Sequence, residues 1–155
     1  RTIIANNSRF DQYARGDANA LTSFEIRGLN SFLNMNCTAC HGGSMFSDYE
    51  LHDLGTPDNS INDNGVNGKF RTPTLRNLSV TGPYFHNGTF ATLEEAVNFY
   101  DDFEQNDEKA QRLDFDENEV DAVVAFLRTL NDDNFDKTVP ESVPSGLSVG
   151  ENINK

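Results

Sequence analysis

Cys37-Thr38-Ala39-Cys40-His41 is the stretch that decides the fold of this chain. Two thiols separated by two residues and followed at once by a histidine form the attachment signature of c-type haem. The spacing suits the chemistry, because the two sulfurs add to the vinyl groups of the porphyrin and His41 is delivered to the iron. The sequence therefore predicts one covalent haem c, with Cys37 and Cys40 as its anchors and His41 as its proximal metal ligand.

Other uses of a C-x-x-C pair fit this chain less well. A zinc ribbon needs a second cysteine pair, and the chain contains only two cysteines. A thioredoxin-like dithiol is expected beside a βαβ pattern, which the residues around Cys37 do not show. A disulfide between residues three apart is geometrically awkward. Haem attachment is therefore the favoured interpretation, and it leaves no thiol for nucleophilic catalysis.

The charge of the chain limits its partners. It carries 25 acidic and 12 basic residues, a formal net charge of −13, which argues against nucleic acid or an anionic membrane and leaves room for a basic redox partner or a bound cation. No apolar run approaches membrane-spanning length, so no membrane span is expected. Since the chain begins at Arg1 and c-type haem is attached outside the bacterial cytoplasm, we expect a periplasmic or other extracytoplasmic location with the signal peptide removed.

Three helices are predicted from capping patterns followed by apolar periodicity. The first follows Thr22, which Glu25 complements, and runs into the haem motif. The second follows Thr92, and the third, which is the most regular, follows Asp116. Gly28 lies inside the first helix, where glycine costs about 1 kcal/mol relative to alanine. We therefore expect the third helix to cross the first closely at this glycine.

Four further blocks accompany the haem motif. They are FRTPTLRN at residues 70–77, TGPYFHNG at 81–88, ATLEEAV at 91–97 and VAFLRTL at 124–130. Their residues, order and spacing resemble the C-terminal haem domain of the bacterial dihaem cytochrome c peroxidase/MauG family. The resemblance extends from about Phe10 to Gly146. It implies an all-α, cytochrome c-like haem domain over residues 1–139. Residues 42–88 are rich in glycine, asparagine, aspartate and proline, which predicts long loops that wrap the covalent haem. Pro140, Pro144 and Gly146 with little periodicity predict an extended tail at 140–155.

The resemblance also implies a function. Family members carry two haem domains, each with its own C-x-x-C-H motif, and this chain holds one. It would be the electron-transfer half, which takes electrons from a donor protein and passes them to a peroxidatic haem on an N-terminal domain or a separate chain. No catalytic residue is then expected here. Two alternatives remain open: a free-standing monohaem peroxidase or ligand sensor with an open distal face, and a diffusible monohaem electron carrier.

The second axial ligand of the iron sets its potential. The candidates are Tyr100, Met35, Met45, His52 and His86. The resemblance implies a methionine after the Thr-Leu-Glu-Glu block in the peroxidases and a tyrosine in the MauG branch, and the matching residue here is Tyr100. We therefore expect His41/Tyr100 ligation and a low potential. The alternative, that Tyr100 is an ordinary core aromatic, stays open because periodicity does not separate the two.

Three other groups are candidates for binding the cofactor or a cation. Arg71 and Arg76 are expected to pair with haem propionates, with a surface salt bridge as the alternative. His86 resembles a family histidine near the haem. The resemblance further implies Ca²⁺ on backbone carbonyls of residues 71–73, although its remaining ligand would lie in the other domain. A second set of oxygen-rich side chains is expected to form turns, and comprises Asp58, Asn62, Asp63 and Asn64.

Overall fold

The described part of the chain contains four α-helices and one small strand pair. A computed structural model describes residues 5–55, 65–102 and 118–132. The helices are α1 (Arg9–Ala14), α2 (Ser23–Asn34), α3 (Leu93–Asp102) and α4 (Glu119–Arg128). The strands β1 (Leu51–His52) and β2 (Phe70–Arg71) pair antiparallel, with Leu51 opposite Arg71. The predicted helical domain is thus confirmed, with the two-residue strands as an addition. The tail at 140–155 lies outside the described residues.

Local capping starts α2 and α3 as the sequence predicts. The amide of Glu25 donates to the Thr22 hydroxyl at 3.3 Å, and the Thr22 amide donates back to the Glu25 carboxylate at 2.7 Å. The same reciprocal pair joins Thr92 and Glu95 at 3.1 and 3.2 Å. Each box satisfies backbone donors that a helix N-terminus would otherwise leave unpaired.

The predicted start of α4 is wrong. The helix begins at Glu119 after Asn118, whose side chain makes no capping hydrogen bond, and Asp116 lies outside the described residues. Tertiary contacts hold this end instead. Ser31 of α2 donates to the Glu119 carboxylate at 3.1 Å, and Arg27 donates to the Asn118 carbonyl at 2.9 Å. A helix start fixed by a neighbouring helix leaves no local sequence signal.

Helix α1 was not among the predicted helices. It is only six residues long and has no apolar period, but Ser8 and Asp11 form a capping box at its start, a signal that could have revealed it. The Phe10 amide donates to the Thr129 carbonyl at 3.2 Å. The Phe10 ring packs edge-on against Phe126 at 5.7 Å. These contacts attach α1 to the end of α4.

The crossing of α2 and α4 organises the core. A Cβ atom on Gly28 would lie 1.8 Å from the carbonyl oxygen of Ala122, so only glycine permits this approach. The predicted crossing at Gly28 is confirmed. The buried apolar cluster built around it comprises Phe32, Phe46, Leu78, Leu93, Val97, Val123, Val124, Phe126, Leu127 and Leu130.

Replacing Gly28 with alanine is expected to destabilise the haem-loaded protein by about 3 kcal/mol, because the helices must separate to admit the methyl group. Urea unfolding at fixed pH measures the loss. Asn30→Ala is the matched control, since Asn30 is exposed on the same helix, and its effect is expected to stay within about 0.5 kcal/mol. Equal midpoints for the two variants would contradict the tight crossing.

Candidate haem-binding site

The haem motif lies at the C-terminal end of α2. Asn36 adopts a left-handed conformation with φ of 60°, which asparagine tolerates better than most residues. The chain then forms a 3₁₀ turn over Cys37–Ala39. The His41 amide closes this turn by donating to the Cys37 carbonyl at 2.8 Å. Both thiols and the imidazole therefore project from one short, hydrogen-bonded segment.

Neither thiol of the motif forms a disulfide, and each is partly buried. Cys37 packs against the buried apolar cluster of the core. Burial raises the pKa of Cys37 to about 11, and the nearby Cys40 thiolate acts in the same direction. The surroundings of Cys37 thus favour an uncharged sulfur. A thioether is uncharged, so this setting suits a sulfur that is covalently bound to a porphyrin.

One hydrogen bond prepares His41 to bind a metal. Its Nδ1 lies 2.9 Å from the Phe46 carbonyl oxygen. A carbonyl can only accept, so Nδ1 carries the proton and Nε2 keeps its lone pair. Burial lowers the pKa of His41 and outweighs the opposing effects of the Phe46 carbonyl, the Asp48 carboxylate and the Pro73 carbonyl. The side chain is therefore a neutral imidazole of the tautomer that binds metals through Nε2.

Tyr100 lies near both thiols. It stands near the end of α3 and is half-buried. Burial raises the pKa of Tyr100, and the charges of the Cys37 and Cys40 thiolates raise it further. The structure therefore brings Tyr100 to the haem motif across 60 residues of sequence, as the ligand hypothesis requires. Ligation itself stays a prediction.

An aromatic cluster surrounds the Tyr100 ring. Phe85 packs edge-on against Phe90 and against Phe99, each at 4.9 Å between ring centroids, and lies 6.0 Å from Tyr100. Flat apolar side chains beside a thiol pair and a metal-ready imidazole match the needs of a porphyrin, whose faces are apolar and whose iron takes nitrogen or oxygen donors. The residues present therefore fit a haem c.

The other ligand candidates have different surroundings. Met35 caps the C-terminus of α2. The carbonyl of Met45 accepts from Thr74 at 2.6 Å. His52 is buried in β1, and its Nε2 lies 2.9 Å from the Asp48 carboxylate. Burial opposes ionisation of Asp48, but hydrogen bonds from the Glu50 amide, His52 and Thr72 hold the pKa of Asp48 well below its usual range.

His86 and Arg71 each contact an aromatic ring. The His86 ring stacks on Phe70 at 3.7 Å with an interplanar angle of 14°. The guanidinium of Arg71, which is exposed, lies 4.6 Å from the centre of the Tyr49 ring. Binding of the haem or its propionates by these two residues stays a prediction.

Arg76 is buried in an ion pair. Its two terminal nitrogens donate to the Asp11 carboxylate at 2.8 and 2.9 Å, and its Nε donates to the Ser44 carbonyl at 2.7 Å. Only 8% of the Arg76 side chain and 12% of the Asp11 side chain are exposed. The salt bridge foreseen as an alternative to propionate binding is thus present, but it is internal and not on the surface. Propionate binding by Arg76 stays a prediction.

One cluster of possible metal ligands, which was not predicted from the sequence, includes a cysteine of the haem motif. A Cys40 sulfur, an Asp48 oxygen and a His52 nitrogen lie within 4.8 Å of one another, a spacing that could hold a metal ion. The Asp48-x-x-x-His52 spacing was its sequence signal. A sulfur bound to a porphyrin is no longer a thiolate ligand, so haem attachment at Cys40 and metal binding by this cluster exclude one another.

The implied calcium site stays a prediction. Within residues 71–73, the carbonyl of Thr72 already accepts a hydrogen bond from the Ser47 hydroxyl at 2.8 Å. The oxygen-rich set of Asp58, Asn62, Asp63 and Asn64 lies outside the described residues. Across the described ranges, no helix is long and apolar enough to cross a membrane.

Comparisons with known proteins show the family of this chain. The cytochrome c family model matches residues 26–131. Cytochrome c551 peroxidase of Nitrosomonas europaea is 35% identical over 93% of this chain and 45% of its own length. Methylamine utilization protein MauG of Paracoccus denitrificans is 28% identical over 88% of this chain and 49% of its own length. The chain therefore spans about half the length of these curated relatives.

Solved structures extend the likeness. A MauG-like protein associated with microbial copper homeostasis superposes with a TM-score of 0.71 at 28% identity, covering 83% of this chain and 49% of that one. The diheme peroxidase BthA from Burkholderia thailandensis superposes with a TM-score of 0.63 at 27% identity, covering 81% and 46%.

Removing both motif cysteines is expected to abolish covalent haem attachment. The double variant Cys37→Ser, Cys40→Ser is expressed together with a c-type haem maturation system. Its mass, measured by mass spectrometry under denaturing conditions, should equal that of the bare polypeptide, because no thioether can form. Thr38→Ala is the control, since it alters the same turn without removing a thiol. Wild-type chain with no added mass, or with a metal ion bound at Cys40 in place of haem, would contradict the haem assignment.

Asp11 is expected to make stability depend on pH. Burial of Asp11 opposes its ionisation, but hydrogen bonds from Arg76 and Ser8 hold its pKa below the ordinary value. A lowered folded-state pKa contributes stability that is present above about pH 4 and lost as the pH falls through the folded pKa. Asp11→Asn should therefore destabilise the protein by about 3 kcal/mol near neutral pH, and the difference should shrink in acid.

Chemical unfolding of both proteins from pH 7 down to pH 3 measures this difference. Asp17→Asn is the control, because Asp17 is an exposed aspartate shortly after α1 that accepts from the Asn19 amide. A loss in Asp11→Asn that stays constant over the whole pH range would contradict the role of the ionised carboxylate.

Proposed function

Because this chain belongs to the cytochrome c family, we propose that it is the haem c electron-transfer domain of a larger dihaem oxidoreductase of the cytochrome c peroxidase/MauG kind. The observation that carries the proposal is His41, which directly follows the two thiols and is held as the tautomer with a lone pair on Nε2. Haem c, when bound, supplies a centre that exchanges single electrons.

The relatives suggest what the domain works with. They bear names such as cytochrome c551 peroxidase, a related solved structure is titled a diheme peroxidase, and the chain matches about half of each. We propose that the other half carries the haem at which peroxide is reduced. An electron-donor protein would deliver electrons to the present domain, outside the cytoplasm, where haem c is attached.

The residues of this chain have separate tasks in the proposal. Cys37 and Cys40 would hold the porphyrin covalently at the end of α2. His41, whose orientation is set by the Phe46 carbonyl, would bind the iron. Tyr100 of α3 would be the second protein ligand, as a phenolate. An iron held by both residues would take up no peroxide, and the haem would serve to relay electrons.

A free-standing monohaem peroxidase or ligand sensor is the second candidate. The packing of the Tyr100 ring against Phe85 and Phe99 favours it, because a phenol held among apolar side chains stays neutral and is then a weaker metal ligand than a phenolate. In that case Tyr100 would act on a bound ligand as a hydrogen-bond donor and leave the iron open. A diffusible electron carrier would share the first mechanism and lack the second haem.

Tyr100→Phe separates these candidates. In the haem-loaded full-length protein we expect the haem of this domain to change from six-coordinate to five-coordinate high-spin iron and to bind cyanide rapidly. Its midpoint potential should rise by on the order of 0.1 V, within the range over which axial ligands act. Optical, EPR and potentiometric measurements report these changes.

Tyr84→Phe is the matched control, since the Tyr84 hydroxyl donates to the Leu78 carbonyl at 2.9 Å. It should cost about 1 kcal/mol of stability and leave the iron unchanged. Two results together would refute the electron-relay proposal and support the open-site candidate. The haem of this domain would bind cyanide rapidly in the wild-type protein, and its iron spectrum would be unchanged in Tyr100→Phe.

A further inference from the structure

We propose that Arg76, Asp11 and Thr74 are positioning residues that set the reduction potential of the iron bound by His41. They do so by holding the post-motif turn, residues 42–48, so that the Phe46 carbonyl stays on the Nδ1 proton of His41. The inference rests on the proposed function, because it requires the haem.

The post-motif turn depends on outside support. Phe46 is a non-glycine residue with a left-handed φ of 52°, a conformation that costs on the order of 1 kcal/mol and persists where surrounding contacts enforce it. Its ring is buried and packs edge-on against Phe10 at 5.2 Å and Phe32 at 6.2 Å. The ring is thus anchored in the core while the carbonyl points to His41.

Residues 72–76, here called the brace segment, run alongside the turn and bind it at three successive points. Arg76 Nε donates to the Ser44 carbonyl at 2.7 Å. The Thr74 hydroxyl donates to the Met45 carbonyl at 2.6 Å. The Ser47 hydroxyl donates to the Thr72 carbonyl at 2.8 Å. The residues on both sides of Phe46 are therefore tied to the brace segment, which fixes the direction of the carbonyl between them.

Asp11 immobilises the brace segment in turn. Its carboxylate accepts both terminal nitrogens of Arg76, and also accepts from the Ser8 amide at 2.9 Å and the Ser8 hydroxyl at 2.7 Å. The Arg76 guanidinium also lies 5.7 Å from the centre of the Phe46 ring. A bidentate pair buried at both ends allows little rotation, so α1 holds the brace segment against the turn.

The direction of the effect follows from ligand basicity. Donation from Nδ1 to a carbonyl makes the imidazole a stronger donor to the metal, which favours the oxidised iron and lowers the potential. A looser turn weakens this bond and raises the potential. Loss of a nearby positive charge would have the opposite effect: it favours the more positively charged, oxidised iron and so lowers the potential. A rise in the midpoint potential therefore indicates a positioning role, and a fall indicates a direct effect of charge.

Thr74→Val and Arg76→Lys are the decisive variants, since each removes bonds to the turn without changing the charge. In the haem-loaded full-length protein we expect the midpoint potential of this domain's haem to rise in both. The reduction equilibrium constant should change about tenfold, which is about 59 mV for one electron. The haem of this domain is identified as the one missing from the Cys37→Ser, Cys40→Ser variant. Faster hydrogen exchange of His41 Nδ1–H by NMR is the second readout.

Arg9→Lys is the matched control. Arg9 also binds a carboxylate with both terminal nitrogens, at 2.6 and 2.7 Å from Glu25, and its Nε donates to the Ala20 carbonyl at 3.0 Å. These bonds join α1 to α2 and to Ala20 in the preceding loop, and they do not touch the turn. Arg9→Lys should therefore leave both the potential and the exchange rate unchanged.

Two results would overturn the inference. One is a midpoint potential of this domain's haem in Thr74→Val that is equal to or lower than the potential in Arg9→Lys. This comparison remains decisive even if Arg76→Lys does not fold, because Thr74→Val alone tests the turn. The other is wild-type protein whose mass includes no haem, which overturns the proposed function together with the inference and is detected before any potential is measured.

Discussion

The close crossing of α2 and α4 is the constraint on which the site depends. Gly28 lets the two backbones approach at Ala122, and the Ser31 to Glu119 hydrogen bond fixes the rotation of one helix against the other. Because Cys37 follows the end of α2 almost directly, this crossing places the haem motif relative to the core. Haem attachment therefore relies on a helix pair whose contact lies more than two turns away from the thiols.

Burial disfavours the charged form of three groups at the haem motif. It raises the pKa of Cys37 and of Tyr100 and lowers that of His41. The neutral thiol, phenol and imidazole are therefore favoured in the folded chain, although it carries a net charge of −13. Iron binding by a Tyr100 phenolate, as proposed above, would have to overcome this effect of burial.

The sequence predicts those parts of the structure that local patterns encode. The haem motif, the boxes at Thr22 and Thr92 and the crossing at Gly28 each involve a few neighbouring residues or an unusual residue type. The contacts around His41 have no such pattern. Asp11 and Arg76 are 65 positions apart, and the acceptor on His41 is a backbone carbonyl, which leaves no trace in the residue type of Phe46. The start of α4 escaped prediction because α2 fixes it.

Helix α1 has a consequence for how this protein can be divided. The match to the cytochrome c family begins at residue 26, which suggests a natural place to cut when the haem domain is excised. Such a cut would remove the carboxylate of Asp11 and leave the buried guanidinium of Arg76 without its counter-charge. A unit that keeps this ion pair therefore starts upstream of Ser8, and a chimaera joined at the family boundary would contain a buried cation without its counter-charge.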